Sequence, residues 1–213
     1  MIKIEKLTKK FQNRPVFNKT NLTFENGKVY AVIGASGSGK TTLLNIVSKL
    51  EPYDGGVVLY NGQSIEKIKT QQFFRDDLGY LFQNFGLLDS NTIADNLDLG
   101  LIGKKLSKSD RIKVEKRALK QVGLDYLGLN QKIFALSGGE AQRVALAKVI
   151  LKDPPLILAD EPTAALDPKT SEEIMAILLS LRSSKRTIII ATHNPVIWNL
   201  ADEVIDVNTV SNI

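Results

Sequence analysis

Apolar residues follow two different spacings along this chain of 213 residues. Short runs with strand-like spacing begin the sequence and return towards its end, and the stretch from about Asn91 to Leu151 has helical spacing. The run Val29–Ile33 is continuously apolar and precedes a glycine, which is typical of a strand buried on both faces. The predicted strands are Ile2–Leu7, Asn21–Glu25, Lys28–Ile33, Gly56–Tyr60, Gly79–Phe82, Leu156–Ala159, Thr187–Ala191 and Glu203–Val207. Further helices are predicted over Lys40–Lys49, Pro168–Arg182 and Pro195–Ala201.

The order of these elements predicts an α/β fold with a mainly helical insertion. Strands and helices alternate on both sides of the insertion, which favours a mostly parallel sheet with ligands at the carboxyl ends of its strands. The insertion is too short for an independent domain of typical size. We therefore expect a single domain over residues 1–213, with a core over 1–83 and 152–213 and a helical lobe over about 84–151.

Composition excludes several classes of protein. The absence of cysteine rules out disulfides and cysteine metal sites, and no apolar run approaches the roughly 20 residues that span a bilayer. The first residues lack the apolar run of a secretory signal, so we expect any work at a membrane to pass through a partner protein. The net charge of +5 is spread along the chain without an arginine-rich tract, and we expect no nucleic-acid partner.

The charged stretch Lys104–Lys120 is interpreted as the solvent-facing side of a helix. On this interpretation its apolar residues, Leu106, Ile112, Leu119 and Val122, point inward. Docking to anionic lipid is the alternative interpretation of the same charges.

A glycine-rich segment between a predicted buried strand and a predicted helix fits the pattern G-x-x-x-x-G-K-[ST]. We call residues 34–41 the cradle: Gly34, Ala35, Ser36, Gly37, Ser38, Gly39, Lys40 and Thr41. Its glycines let successive backbone N–H groups converge on phosphate oxygens, and the following helix adds a partial positive charge. Lys40 suits the β- and γ-phosphates and the Thr41 hydroxyl suits Mg²⁺, so the cradle predicts a nucleoside triphosphate site.

Two adjacent carboxylates, Asp160 and Glu161, end the apolar strand that begins at Leu156. Neighbouring residues of a strand point to opposite sides, so the two acids can have different roles. Asp160 is suited to hold Mg²⁺, and Glu161 is suited to orient and deprotonate the attacking water.

His193 is the only histidine of the chain and follows the predicted strand Thr187–Ala191. An isolated histidine is more often a structural residue than a functional one. Its place at the end of a strand that follows the acidic strand favours a γ-phosphate sensor, and no second histidine or cysteine is present to complete a metal site.

The segment Ser137-Gly138-Gly139-Glu140, which we call the signature segment, opens another predicted helix. Ser137 and Glu140 have the spacing of a capping box, which is a purely structural explanation. The paired glycines are poor helix formers, and they make sense if a phosphate approaches the backbone. We expect this second anion site to serve a partner copy of the chain.

These motifs together resemble the nucleotide-binding subunit of the ABC transporter family over essentially the whole chain. The resemblance implies a P-loop NTPase with a RecA-like core, an antiparallel β lobe and a helical insertion lobe. It implies an ATPase in which two ATP molecules with Mg²⁺ lie between cradle and signature segment of two head-to-tail copies. It also implies roles for Phe11, which stacks on adenine, for Gln83, which contacts the γ-phosphate and Mg²⁺, and for Thr42 and Asp167 at the nucleotide.

The stretch Leu158–Asp167 resembles the MacB/LolD/FtsE-like branch of this family, with Ala164 in place of a usual glycine. This branch implies export or mechanical work on an integral membrane permease, from the cytoplasmic face of the membrane. An importer ATPase, whose chains are often longer, and a regulatory ABC protein without transport are the alternatives.

Overall fold

Residues 1–210 are described by the computed structural model, and their strands are short except for the first two. The strands are β1 (Ile2–Phe11), β2 (Arg14–Phe24), β3 (Val29–Ile33), β4 (Gly55–Tyr60), β5 (Gln63–Ser64), β6 (Leu78–Leu81), β7 (Leu156–Asp160), β8 (Thr187–Ala191) and β9 (Glu203–Asp206). The helices are α1 (Lys40–Val47), α2 (Thr70–Gln72), α3 (Ile93–Asp98), α4 (Lys108–Gln121), α5 (Gly138–Lys152), α6 (Pro168–Ser180), α7 (Pro195–Trp198) and α8 (Val207–Val210). No helix within these residues is long and apolar enough to cross a membrane.

The chain divides into two compact units. The first comprises Met1–Leu78, Pro155–Glu161 and the described residues from Arg182 onward. The second comprises Gly79–Pro154 and Pro162–Leu181.

A parallel sheet forms the centre of the first unit, where four strands lie in the order β7-β8-β3-β9. β7 and β8 are buried along their whole length, and β3 is buried apart from its last residue. Helix α1 packs against β7 and β8, and α7 packs against β3. The apolar run Val29–Ile33 is therefore a buried central strand, as predicted.

An antiparallel sheet, in the order β2-β1-β4-β5, forms the rest of the β structure of this unit. Here the predicted second strand was too short: β2 begins at Arg14 and pairs with β1 through a hairpin whose two-residue turn contains Gln12 at φ 55°. Much of β2 is polar because one side of the hairpin faces solvent, so strand propensity alone misses the region Arg14–Thr20. Pairing with β1 stabilises this first part of β2 as a strand.

Helices dominate the second unit, and α5 is at its centre, in contact with α3, α4 and α6. The buried side of α4 includes Leu119, and Val122 directly after the helix is also buried, as predicted. Ile112 was expected inside but is 38% exposed. The buried stripe of this helix begins only at Glu115, so the turn before it carries an apolar residue in solvent.

Candidate active site

Three segments with candidate chemistry leave the parallel sheet of the first unit at the same edge. The cradle follows β3, Glu161 follows β7, and His193 lies two residues after β8. Because these strands are parallel and lie side by side in the order β7-β8-β3, their carboxyl ends meet. We call this place the carboxyl edge.

Close contacts explain two glycines of the cradle. A Cβ atom on Gly34 would lie 2.6 Å from the Ser38 hydroxyl, and one on Gly39 would lie 2.6 Å from a methyl group of Val16. Gly39 also has φ 109°, a conformation that side chains disfavour, immediately before α1. The loop therefore keeps its tight path only with glycine at these positions.

Lys40 is 7% exposed and its Nζ donates hydrogen bonds to the carbonyl oxygens of Gly34 and Ala35, at 2.9 and 3.2 Å. Within the described chain the buried Ser38 hydroxyl has no hydrogen-bond partner. Gly39 has no side chain with which to cap the first N–H groups of α1. A lysine, an unsatisfied hydroxyl and an uncapped helix start together fit an anion such as a phosphate.

Asp160 accepts a hydrogen bond of 3.0 Å from the Thr41 hydroxyl. Burial raises the pKa of Asp160 above its usual value, against the opposing effect of the Thr41 hydrogen bond. A hydroxyl and a carboxylate at one point are hard oxygen ligands of the type that Mg²⁺ accepts, together with water and phosphate oxygens. Among residues 1–210, no three His, Cys, Asp or Glu side chains cluster as a metal site.

Glu161 has a left-handed backbone, with φ 46°, which is rare for a side chain of this kind. Its N–H donates to the carbonyl of Ala191 at the end of β8, at 2.9 Å. This bond holds the strained residue between the strand ends, where its carboxylate lies 3.9 Å from Lys40 Nζ.

The single histidine contacts the same carboxylate. His193 Nδ1 lies 2.9 Å from Glu161 Oε1, and the histidine side chain is 69% exposed, whereas that of Glu161 is only 13% exposed. The imidazole therefore covers a carboxylate that is otherwise largely buried, and its own exposed surface remains open to a ligand.

A cavity of about 210 Å³ adjoins the cradle. Phe11 and Thr42, both predicted to lie at the nucleotide, line this cavity. The complete lining is Phe11, Arg14, Val16, Gly37, Gly39, Lys40, Thr41 and Thr42.

Arg14 and Val16 in this lining were not identified from the sequence. Arg14 pairs with Phe11 across the hairpin, and its guanidinium donates a hydrogen bond of 3.2 Å to the Gly37 carbonyl. The signal that could have located them is the polar pair Gln12-Asn13, the size of a two-residue hairpin turn directly after the candidate aromatic residue.

In the second unit, the signature segment begins α5 with the predicted capping box. Ser137 Oγ accepts a hydrogen bond of 3.3 Å from the Glu140 N–H, and the Ser137 N–H donates one of 2.8 Å to the Glu140 carboxylate. The other carboxylate oxygen of Glu140 accepts from the Tyr126 hydroxyl at 2.8 Å. The backbone N–H of Ser137 and the Tyr126 hydroxyl contribute most to lowering the Glu140 pKa.

The two glycines of this segment differ in their surroundings. A Cβ atom on Gly139 would lie 2.9 Å from a methyl group of Thr170 on α6, whereas one on Gly138 would meet only ordinary contacts at 3.7 Å. Close packing therefore requires glycine at Gly139, whereas no contact among the described residues requires glycine at Gly138.

Gln83 and Asp167 also belong to the second unit. Gln83 is exposed and lies just after β6. Asp167 is the N-cap of α6 and accepts a hydrogen bond of 3.1 Å from the Thr170 N–H. Hydrogen bonds from Thr170 lower the pKa of Asp167, which keeps it ionised at the helix start.

Comparison with known proteins gives a family match over residues 17–164, to the model described as ABC transporter. The methionine import ATP-binding protein MetN 1 of Pseudomonas putida is 38% identical over 195 residues, which are 89% of this chain and 58% of MetN 1. The macrolide export ATP-binding/permease protein MacB of Vibrio parahaemolyticus is 34% identical over 214 residues, which are 97% of this chain and 33% of MacB. The chain therefore spans only about a third to three fifths of these two relatives.

A solved structure is similar over nearly the whole of both chains. It is the dimeric post-hydrolysis state of the ATP-binding cassette MJ0796, bound to ADP and Pi, with a TM-score of 0.88 and 33% sequence identity. The match covers 97% of this chain and 94% of that one. MJ0796 comes from Methanocaldococcus jannaschii.

Proposed function

Because this chain belongs to the ABC transporter family and is an ATP-binding and ATP-hydrolysing subunit of that family, we propose that ATP is bound and cleaved at its carboxyl edge. The observation that carries this proposal is the convergence of Lys40, Asp160, Glu161 and His193. Thr41 lies 3.0 Å from Asp160, Lys40 lies 3.9 Å from Glu161, and His193 lies 2.9 Å from Glu161. A cation, a metal-ligand pair and a water-positioning carboxylate are the groups that phosphoryl transfer to water needs.

The proposal assigns a role to each residue of the site. The cradle N–H groups and Lys40 hold the β- and γ-phosphates, and Phe11 stacks on adenine. Thr41, Asp160 and Gln83 would hold Mg²⁺, which would supply positive charge beside the phosphate oxygens. Glu161 orients the attacking water and accepts its proton, and His193 contacts the γ-phosphate beside the Glu161 carboxylate.

Two copies of the chain complete each site in this scheme. Ser137, Gly138 and Gly139 of a second copy face the γ-phosphate at the start of α5, with Glu140 as their cap and Asp167 at the dimer interface. The dimeric state of MJ0796 with ADP and Pi supports this arrangement. We further propose that each protomer is a single domain over residues 1–213, with a helical lobe over about 84–151.

The work done by ATP is transport through a membrane permease. We propose that Gly79–Leu101 receives this partner and that the chain acts on the cytoplasmic face of the cell membrane, without nucleic acid. The stretch Leu158–Asp167 favours the MacB/LolD/FtsE-like branch and hence export or mechanical work, and the similarity to MacB agrees with it. Import is the second candidate, since MetN 1 is an import protein of at least equal similarity.

The nucleotide part of the proposal is tested with Lys40→Ala. Titration of purified protein with MgATP should give no measurable binding, because the cation at the phosphates is lost. Lys185→Ala, which removes an exposed lysine of the first unit, is the matched control and should bind as wild type does. Unchanged affinity in Lys40→Ala would place the nucleotide elsewhere.

The transport part is tested by affinity purification of the chain from detergent-solubilised membranes of its own organism, followed by identification of its partners. A four-helix membrane protein with a large extracytoplasmic domain supports the MacB-like branch. A permease with many helices moves the assignment to import. Recovery of no membrane protein contradicts the transport role and leaves the ATPase intact.

A further inference from the structure

A buried cation lies against the aromatic ring that adjoins the nucleotide cavity. Lys9 Nζ is 4.6 Å from the centre of the Phe11 ring, within the range of a cation–π contact. The two residues are two apart on β1, and Phe11 is 45% exposed where it lines the cavity. An ammonium group thus lies over the ring, and the exposed part of Phe11 remains available to a flat ligand in the cavity.

Lys9 is held firmly, unlike a surface lysine. It is 5% exposed, and its Nζ donates hydrogen bonds to the Glu51 carboxylate at 2.5 Å and to the Pro52 carbonyl at 2.8 Å. Both acceptors lie in the segment after α1, the helix that starts at the cradle. The Lys9 ammonium group therefore binds the segment that follows the phosphate-binding helix. The Phe11 ring packs against the same ammonium group.

We propose that Lys9 is a positioning residue for the nucleotide base, acting through Phe11. An exposed phenylalanine at the end of a hairpin samples several rotamers, and ordering it on binding costs affinity. Lys9 orders the ring before the nucleotide arrives, and its ammonium group draws π density towards itself and away from the part of the ring that meets the base. The inference rests on the proposed ATP function and adds to it a residue that does not touch the nucleotide.

A purely structural role makes a different prediction. If the Lys9–Glu51 ion pair only tied β1 to the segment after α1, its loss would loosen the cradle and weaken every phosphate ligand alike. If Lys9 acts through the ring, its loss weakens only ligands that carry a base. ATP carries a base and its ribose, whereas inorganic tripolyphosphate carries neither.

The experiment measures the affinity of the full chain for MgATP and for magnesium tripolyphosphate by titration calorimetry. In Lys9→Met the Kd for ATP should rise about threefold to tenfold, the cost of ordering one side chain on binding, with the Kd for tripolyphosphate within about twofold of wild type. Lys10→Met, an exposed lysine of the same strand, is the control and should change neither value. Lys9→Gln, which keeps a donor for Glu51 and removes the charge, should show the same difference and serves if Lys9→Met does not fold.

A double-mutant cycle with Phe11→Leu gives the second readout. Once the ring is absent, Lys9→Met should have no further effect on ATP affinity, because the two residues act through one contact. Equal weakening of both ligands, an unchanged ATP affinity, or additivity with Phe11→Leu would each overturn the inference. A wild-type chain that binds neither ligand would instead overturn the proposed function, so the two failures are distinguishable.

Discussion

Glu161 is the residue at which the segments of the carboxyl edge meet. Its strained backbone, with φ 46°, is held by a bond to Ala191, and its carboxylate lies between Lys40 and His193. Strain of this kind persists where surrounding bonds enforce it, and it is common at functional sites. The adjacent Asp160, which ends β7, has a different partner, Thr41, so two neighbouring carboxylates have separate surroundings.

At the same scale, His193→Ala should lower kcat for ATP hydrolysis by at least about tenfold, because Glu161 loses the group that orients it and the γ-phosphate loses a donor. ATP affinity should stay within about threefold, since the cradle is untouched. Steady-state ATPase assays together with titration of MgATP separate the two quantities. His193→Gln, which keeps a donor, should recover part of kcat, and a fully active His193→Ala would exclude the sensor role.

Among the elements, the start of α5 has two explanations that substitutions can separate. Gly139→Ala should lower the free energy of unfolding by about 1–3 kcal/mol, because its Cβ would approach Thr170 to 2.9 Å. Gly138→Ala, with contacts of 3.7 Å, should be neutral or slightly stabilising. Urea unfolding measures both values.

The same pair of variants tests the phosphate interpretation of the signature segment. If a phosphate of the ATP bound to the partner copy approaches this backbone, Gly138→Ala should lose most ATPase activity at unchanged stability. Normal ATPase activity in Gly138→Ala would mean that the glycines serve packing and capping alone.

Two carboxyl groups, one from α3 and one from α4, lie close together. Glu115 on α4 is buried beside Asp98, which ends α3 and forms an ion pair of 2.7 Å with Arg111. Burial and then Asp98 raise the pKa of Glu115 to about 7, from an ordinary value of 4.5. The folded state therefore binds a proton that the unfolded state has released, so the contribution of Glu115 to stability is present below about pH 4.5 and is lost as the pH rises towards 7.

Glu115→Gln should remove this dependence, since an uncharged amide can donate to Asp98 as the protonated acid does. Its melting temperature should exceed that of wild type at pH 8 and should match wild type closely at pH 5. Thermal unfolding across this pH range gives the comparison, with Glu172→Gln, an exposed acid on α6, as control. A lower melting temperature of Glu115→Gln at pH 8 would show that the ionised form is the stabilising one.

On the scale of the whole molecule, the proposed ATPase cycle predicts a change of oligomeric state. Glu161→Gln should bind MgATP, hydrolyse it at least about a hundredfold more slowly than wild type, and elute as a dimer, because the groups that bind nucleotide remain while the proton acceptor is lost. Size-exclusion chromatography with light scattering, with and without MgATP, measures this. A variant that stays monomeric with bound MgATP would contradict the head-to-tail scheme.

Much of the fold and of the carboxyl edge could be predicted from residues that are near one another in the sequence. The cradle 34–41 and His193 follow apolar strands and Asp160-Glu161 lie at the end of another, and parallel strands place such ends together. The capping box of Ser137 and Glu140 was predicted for the same reason, since three residues along a helix suffice to form it.

The sequence by itself therefore determined the α/β class, the order of the elements and the residues at the strand ends, because these depend on local periodicity and on one rule of sheet topology. Only the tertiary structure decided the long hairpin β1–β2, the placement of Arg14 and Lys9 around Phe11, and the different roles of Gly138 and Gly139. It also decided that Ile112 is exposed and that Glu115 is buried. These features depend on strand register and on contacts between residues far apart in the chain, where packing overrides local propensity.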